Sequence, residues 1–331
     1  MSEALSQDDL GLLSRLAHRY YVDGRTQAEI AREFNLSRPK VQRHLERARV
    51  TGVVDIRIEA PPWLNLDLEA QLRESFQLSD VVISPARADP GSQREAVANS
   101  AAQLLERRLR GNAIVVIGPG RDTGEVPRFF RPSARLPCTF VSAMGGSPHV
   151  DALSNPNEIC HAMAERCGGR SERLYAPAWV DTIEMRDRFL EQQAIRHTLT
   201  IAAQANIALV EVDGIDDDCT MVRSGCLSLQ EIASLRERGA VGSALGSYVD
   251  VLGRLIASAH DSRLIALALD QLRGIETVIA VIGSPAAPLA VLGILNAGVV
   301  DALVIDEANA RTILDLARTA GTSSAARGAS G

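Results

Sequence analysis

Lysine is almost missing from this chain. Of the 35 Lys and Arg among 331 residues, only Lys40 is lysine. Schiff-base enzymes and Walker-type phosphate loops each need a lysine in its own setting. Lys40 sits in Ser-Arg-Pro-Lys-Val, which is neither. That argues against pyridoxal enzymes, lysine aldolases and P-loop NTPases. Long apolar runs are also missing: no stretch reaches the ~18 residues that a membrane-spanning helix needs. The start, Met1-Ser2-Glu3-Ala4, has no basic segment followed by an apolar one, so no secretory signal is expected. Cysteines are few and odd in number, at 138, 160, 167, 219 and 226. In a long chain this points to reduced thiols and a cytoplasmic protein. No Gly-x-Ser-x-Gly elbow or His-Glu-x-x-His helix occurs. Cys160, His161 and Cys167 match no zinc spacing, and His149, His197 and His260 have no partner acid that sequence assigns. Neither cofactor nor metal is expected.

What is present is ordinary globular material, 46% apolar and 23% charged, enough for two domains. The net charge of −6 leaves room for a small basic domain inside an acidic average. Four regions are expected: 1–58, helical and arginine-rich; 59–78, a linker helix after the Pro61-Pro62 break; 79–319, an α/β domain; and 320–331, a disordered tail of Gly, Ser, Ala and Thr. In the third region apolar strand candidates at 81–83, 113–117, 139–141, 207–210, 278–282 and 302–305 alternate with helical stretches at 94–109, 157–167, 185–204 and 289–295. Near-continuous apolar strands suit a parallel sheet covered on both faces, so a doubly wound, mainly parallel fold is expected. Residues 64–76 carry Leu64, Leu68, Leu72 and Phe76 at about one-turn spacing, which fits a dimer contact and packing on the domain's own sheet equally.

The N-terminal region reads as a helix–turn–helix. Thr26 and Glu29 have capping-box spacing at the start of a short helix. Asn35-Leu36-Ser37 is a tight turn, and Ser37 is placed to cap a second helix with Pro39 in its first turn and Gly52 at its end. At about 100° per residue, Val41, Leu45 and Ala48 face one way while Lys40, Arg43 and Arg47 face the other. A helix of this kind enters the major groove, where basic side chains meet phosphates and guanine edges. Arg38 and Gln42 flank the stripe, and Gln42 can meet a base edge. Double-stranded operator DNA is therefore the expected partner.

The order Tyr20-Tyr21, Thr26-Gln27-Ala28-Glu29-Ile30-Ala31, Leu36-Ser37-Arg38, Val41-Gln42-Arg43, Ala48-Arg49 and Gly52-Val53-Val54 resembles the start of the SorC/DeoR-type sugar-binding transcriptional regulators. Gly239-Ala240-Val241-Gly242 and Asp301-Ala302-Leu303-Val304-Ile305-Asp306-Glu307 resemble late blocks of the same family, so the resemblance runs to about Ala317. It implies an effector-binding domain related in fold to sugar-phosphate isomerases, binding a sugar, polyol or sugar phosphate without turnover, in a homodimer or homotetramer.

Open parallel sheets bind ligands beyond the carboxyl ends of their strands. The loop Gly118-Pro119-Gly120-Arg121-Asp122-Thr123 follows one strand and opens a helix. Its glycines allow close approach, the helix start offers N–H groups, Arg121 suits a phosphate, and Asp122 or Thr123 suits a hydroxyl. Gly145-Gly146 forms a second such loop. At 211–215 the family has an apolar-Gly-Ile-Gly turn, and here Asp213 replaces the first glycine; Asp216, Asp217 and Asp218 after it read as a solvated loop. The resemblance assigns hydroxyl binding to Asp250, whose plainer reading is a turn before Gly253. After the strand at 278–282 the family shows Gly-Gly-x-x-Lys, whereas this chain has Gly283 and, at the lysine position, Ala287. The missing cation favours an effector without phosphate unless Arg121 substitutes. The alternative function is a sugar-phosphate isomerase or deaminase-like enzyme, disfavoured by the lack of a pocket lysine and of an acid/base pair.

Overall fold

The computed structural model describes residues 7–54, 65–147, 154–258, 260–283 and 288–328, with backbone alone at 7–8 and 320–328. The chain divides into two compact units, Met1–Ala60 and Pro61–Gly331.

The first unit holds α1 (Gln7–Ala17), a π-helical turn (His18–Val22), α2 (Gln27–Glu33) and α3 (Arg38–Val50). Leu13 and Leu16 from α1, Ile30 and Ala31 from α2, and Val41, Leu45 and Ala48 from α3 close one apolar core. The capping box that opens α2 is formed: Glu29 N–H donates to Thr26 Oγ1, and Thr26 N–H donates to Glu29 Oε2 at 2.8 Å. Asn35 ends α2 in the left-handed region (φ 52°), a conformation that asparagine tolerates. Leu36 N–H then reaches back to the Ala31 carbonyl, closing a Schellman turn. Ser37 stands at the N-cap of α3, but its side chain makes no capping hydrogen bond. The turn geometry and Pro39, not the hydroxyl, define where this helix begins.

The second unit is built on seven parallel strands: β1 (Asp80–Ser84), β2 (Ile114–Ile117), β3 (Thr139–Ser142), β4 (Arg170–Glu172), β5 (Ile207–Glu211), β8 (Thr277–Ile282) and β9 (Ala302–Asp306). Their order is β1-β9-β8-β5-β2-β3-β4. β5 and β9 are buried throughout, as a strand covered on both faces requires. Alternate side chains feed two cores. Val115, Ile117, Leu209 and Val281 pack with α5 (Pro90–Arg108) and α7 (Pro156–Cys167). Val116, Val210, Ala280 and Leu303 pack with α4 (Leu66–Phe76), α9 (Gln193–Ala203), α10 (Pro288–Asn296) and α11 (Glu307–Gly328).

The six strand candidates all appear, and four details differ from the sequence reading. β4 is a polar edge strand of three residues and gives no apolar signal. The helical stretch at 185–204 is two helices, α8 (Ile183–Glu191) and α9, broken where Gln192 turns extended. Helix α4 belongs to the second unit, where Leu68 and Leu72 pack with Leu78, Val81 and Ile83; of the two readings of 64–76, packing on its own sheet holds for the described residues. The final helix continues to Gly328, through most of the segment expected to be a structureless tail.

A small antiparallel hairpin, β6 (Gly242–Ala244) and β7 (Ser247–Val249), was not foreseen either. Its turn residues Leu245 (φ 52°) and Gly246 (φ 76°) both have positive φ, as a type I′ turn demands. A leucine there is strained.

Candidate functional site

The two units present chemically opposite surfaces. On α3, Val41 and Ala48 are fully buried and Leu45 nearly so, which turns Arg38, Lys40, Gln42, Arg43 and Arg47 outward, and all five are exposed. None of the four cations forms an ion pair among the described residues. Beside them His44 is half-buried, its pKa pushed down by burial and then by Lys40, Arg47 and Arg43. Unpaired cations crowded on one helix face repel one another, and a polyanion relieves that cost.

In the second unit the strand order reverses between β2 and β5: β3 lies outside β2 on one side, and β8 lies outside β5 on the other. The loops after β2 and β5 therefore leave in opposite directions and open a crevice, the place where open α/β sheets take ligands. The loop after β2 leads into α6 (Arg121–Phe129). Gly118 N–H pairs with the Leu209 carbonyl at 2.9 Å, holding this loop against β5. Thr123 Oγ1 donates within the loop, 3.2 Å from both Gly118 O and Gly120 O. Gly120 is obligatory: its φ is 147°, and a methyl group there would lie 2.1 Å from Glu211 Oε2. A cavity at this point is lined by Pro119, Glu211, Asp213, Thr220, Met221 and the β6–β7 turn, and encloses about 20 Å³ among the described residues. That is space for about one water.

The crevice is acidic. Glu211, at the end of β5, is 8% exposed and accepts the Asp122 N–H at 2.5 Å. Burial, then the nearby Asp122 and Asp213 charges, pushes its carboxyl well above the ordinary range. Burial also raises Asp213, against a hydrogen bond from the Thr220 N–H. Asp122 is 2% exposed and holds Arg94 Nε at 3.1 Å and Gly283 N–H at 2.6 Å. The structure thus brings Gly118, Gly120, Asp122, Thr123, Asp213 and Gly283 to one end of the sheet.

Three of the expected positions are engaged by the protein's own groups. Gly145 and Gly146 do not line the cavity. Their N–H groups bond to the Ile265 and Ala176 carbonyls, and a methyl at Gly145 would lie 2.4 Å from the Pro177 carbonyl oxygen, so Gly145 serves a close backbone crossing. Asp250 is taken up by its own turn: Oδ1 accepts from Leu252 N–H and Arg254 N–H, and Oδ2 from Arg254 Nε at 2.7 Å. Arg121 faces Asp218 at 3.6 Å, and Arg223 faces the same carboxylate at 3.8 Å. Asp218 and Asp217, which pairs with Arg236, are partners of surface arginines. Ala287 lies outside the described residues. All five cysteines are free and buried. Sequence reasoning missed Glu211, Thr220, Met221 and the hairpin. The one available signal was a carboxylate ending the otherwise apolar strand Ile207–Glu211.

The family model described as "Putative sugar-binding domain" matches residues 61–315 of this chain. The chain belongs to the SorC/DeoR-type sugar-binding transcriptional regulators. Residues 19–51 also match the region 4 model of sigma-70 factors, across the helix–turn–helix. The chain is 25% identical over 316 residues to the erythritol catabolism regulatory protein EryD of Brucella abortus, covering 94% of this chain and 98% of EryD. A crystal structure of a sugar-binding domain of a transcriptional repressor from Vibrio fischeri is 31% identical, with a TM-score of 0.71 over 77% of this chain and all of that one. The full-length sorbitol operon regulator SorC from Klebsiella pneumoniae, at 24% identity, shares the fold with a TM-score of 0.71 over 93% of this chain and 100% of its own. The relatives are named as regulators of transcription, so this chain is a DNA-binding regulator with a sugar-binding domain. Among the described residues, no helix of this family member is long and apolar enough to cross a membrane.

Proposed function

We propose that the protein is a cytoplasmic regulator of a carbohydrate or polyol catabolic operon, and not an enzyme. Arg38, Lys40, Gln42, Arg43 and Arg47 contact operator DNA as a homodimer or homotetramer, because a two-fold operator is read by a two-fold protein. A small sugar or polyol enters the crevice formed by the loop after β2, Asp213 and the β6–β7 turn. Binding requires the lining to part, and that movement couples effector to DNA. The observation that carries this reading is an exposed, unpaired basic stripe on α3 in the same chain as an acidic crevice at the sheet's switch point. EryD, named for erythritol catabolism, supports a polyol.

The test is a gel-shift titration on the DNA upstream of the protein's own operon, repeated with a panel of sugars and polyols. Wild type binds, and one panel member changes the affinity. Arg43→Ala weakens binding by about 1–3 kcal/mol if it reads a base, and Arg47→Ala lowers the salt slope by about one if it holds a phosphate. Turnover of a sugar phosphate without specific DNA binding would replace this reading with the isomerase-like enzyme.

A further inference from the structure

The helix start that opens onto the crevice is already occupied, and the occupant is a carboxyl of the protein itself. Helix α6 begins after Gly120, which offers no side-chain cap. Uncapped N–H groups at a helix start behind a glycine-rich loop are where phosphate groups settle. Here the Glu211 carboxyl reaches across from β5, accepts the Asp122 N–H at 2.5 Å, and is drawn on by the Thr123 N–H as well. Its carboxyl lies so close to Gly120 that no side chain fits between them. Glu211 is at the same time a wall of the cavity.

We propose that Glu211 is a specificity-determining residue: it fills the anion position at the start of α6, so the effector is a free sugar or polyol and not a phosphate ester. This rests on the effector reading above. Nearby charges agree with it. The cations around the crevice all face carboxylates: Arg94 on Asp122, and Arg121 and Arg223 on Asp218. The only lysine, Lys40, lies in the other unit. An anion at this point would have to displace the Glu211 carboxyl and would stand beside Asp122 and Asp213.

The experiment uses the full chain and inorganic phosphate as the probe, titrated calorimetrically at matched ionic strength. Glu211→Gly empties the position, and Glu211→Gln keeps it filled with an uncharged group of the same shape. Wild type should bind phosphate at least about tenfold more weakly than Glu211→Gly, with Glu211→Gln close to wild type because the position stays filled; about tenfold corresponds to one decade in Kd. Circular dichroism on each variant establishes that it is folded. Equal phosphate affinity in wild type and both folded variants would overturn the proposal. So would a phosphorylated sugar that releases wild-type protein from DNA more effectively than its free form, and that outcome would leave the effector reading standing. If instead no sugar or polyol alters DNA binding but Glu211→Gly gains phosphate, Glu211 keeps its role and the effector reading falls.

Discussion

Helix α3 leaves Arg38, Lys40, Arg43 and Arg47 in solvent with no ion-pair partner among the described residues, whereas the α/β domain draws Asp122, Glu211 and Asp213 out of solvent and ties each to a backbone N–H. The first arrangement is electrostatically unfavourable alone and is relieved by a large polyanion. The second satisfies its acids internally. The two units therefore differ in the sign and the exposure of their charge.

The sharpest way to break this contrast is to destroy one unit and watch the other. Leu45 is 4% exposed in the eight-residue apolar core of the first unit. Leu45→Ala should cost about 2–5 kcal/mol by lost transfer energy and the cavity left behind, a large share of what so small a core supplies. Calorimetry should show DNA binding lost while the transition of Pro61–Gly331 stays in place. If the whole chain melts together at a lower temperature, the two units are not separate in energy and the contrast is one of surface only.

Charge burial in the second unit can be tested through His260, which is 3% exposed, stacks on Trp179 and has no hydrogen-bond partner at either ring nitrogen among the described residues. Burial holds its pKa down from 6.5 to about 4, against the pull of Asp261 and Glu231. A base whose folded pKa is depressed contributes stability that is full above pH 6.5 and is lost as the pH falls towards 4, because the unfolded chain takes up the proton first. The size over that window is about 3 kcal/mol. Urea unfolding at several pH values should show this acid-side loss in wild type and a shallower one in His260→Phe, which keeps the stacking. Parallel pH profiles would mean that His260 takes its proton in the folded state.

The two regions also differ in how far their sequence could be read. The DNA-reading helix is written in local terms: a cap at Thr26, a turn at Asn35, and apolar and basic residues separated by helical periodicity, all within 26 to 52. The buried strands were equally legible, since apolar runs such as Val278-Ile279-Ala280-Val281-Ile282 need no partner to be recognised. The crevice was not, because it joins Pro119, Glu211, Thr220 and Leu245, residues far apart in sequence whose proximity depends on strand order. Gly145 and Asp250 are ambiguous for a related reason. A glycine that admits a neighbouring backbone and a glycine that admits a ligand look the same in sequence, as do an aspartate that holds a turn and one that holds a hydroxyl.

The smallest effect is expected at Asp250, and it separates those last two meanings. The carboxylate accepts from the Leu252 and Arg254 backbone N–H groups and from Arg254 Nε. The Arg254 side chain is 74% exposed, so its ion pair adds little; the backbone N–H groups matter more. Asp250→Ala should therefore lower stability by about 1–2 kcal/mol, and Asp250→Asn by less, since its amide oxygen still accepts. Whichever sugar or polyol alters DNA binding should bind both variants as it binds wild type, because no atom of Asp250 lines the cavity. Thermal unfolding and effector titration on the same preparations decide the matter. An affinity loss of about tenfold in Asp250→Ala with unchanged stability would return this aspartate to the ligand and enlarge the crevice beyond the β6–β7 turn, and a stability loss alone leaves it as the clasp of its own loop.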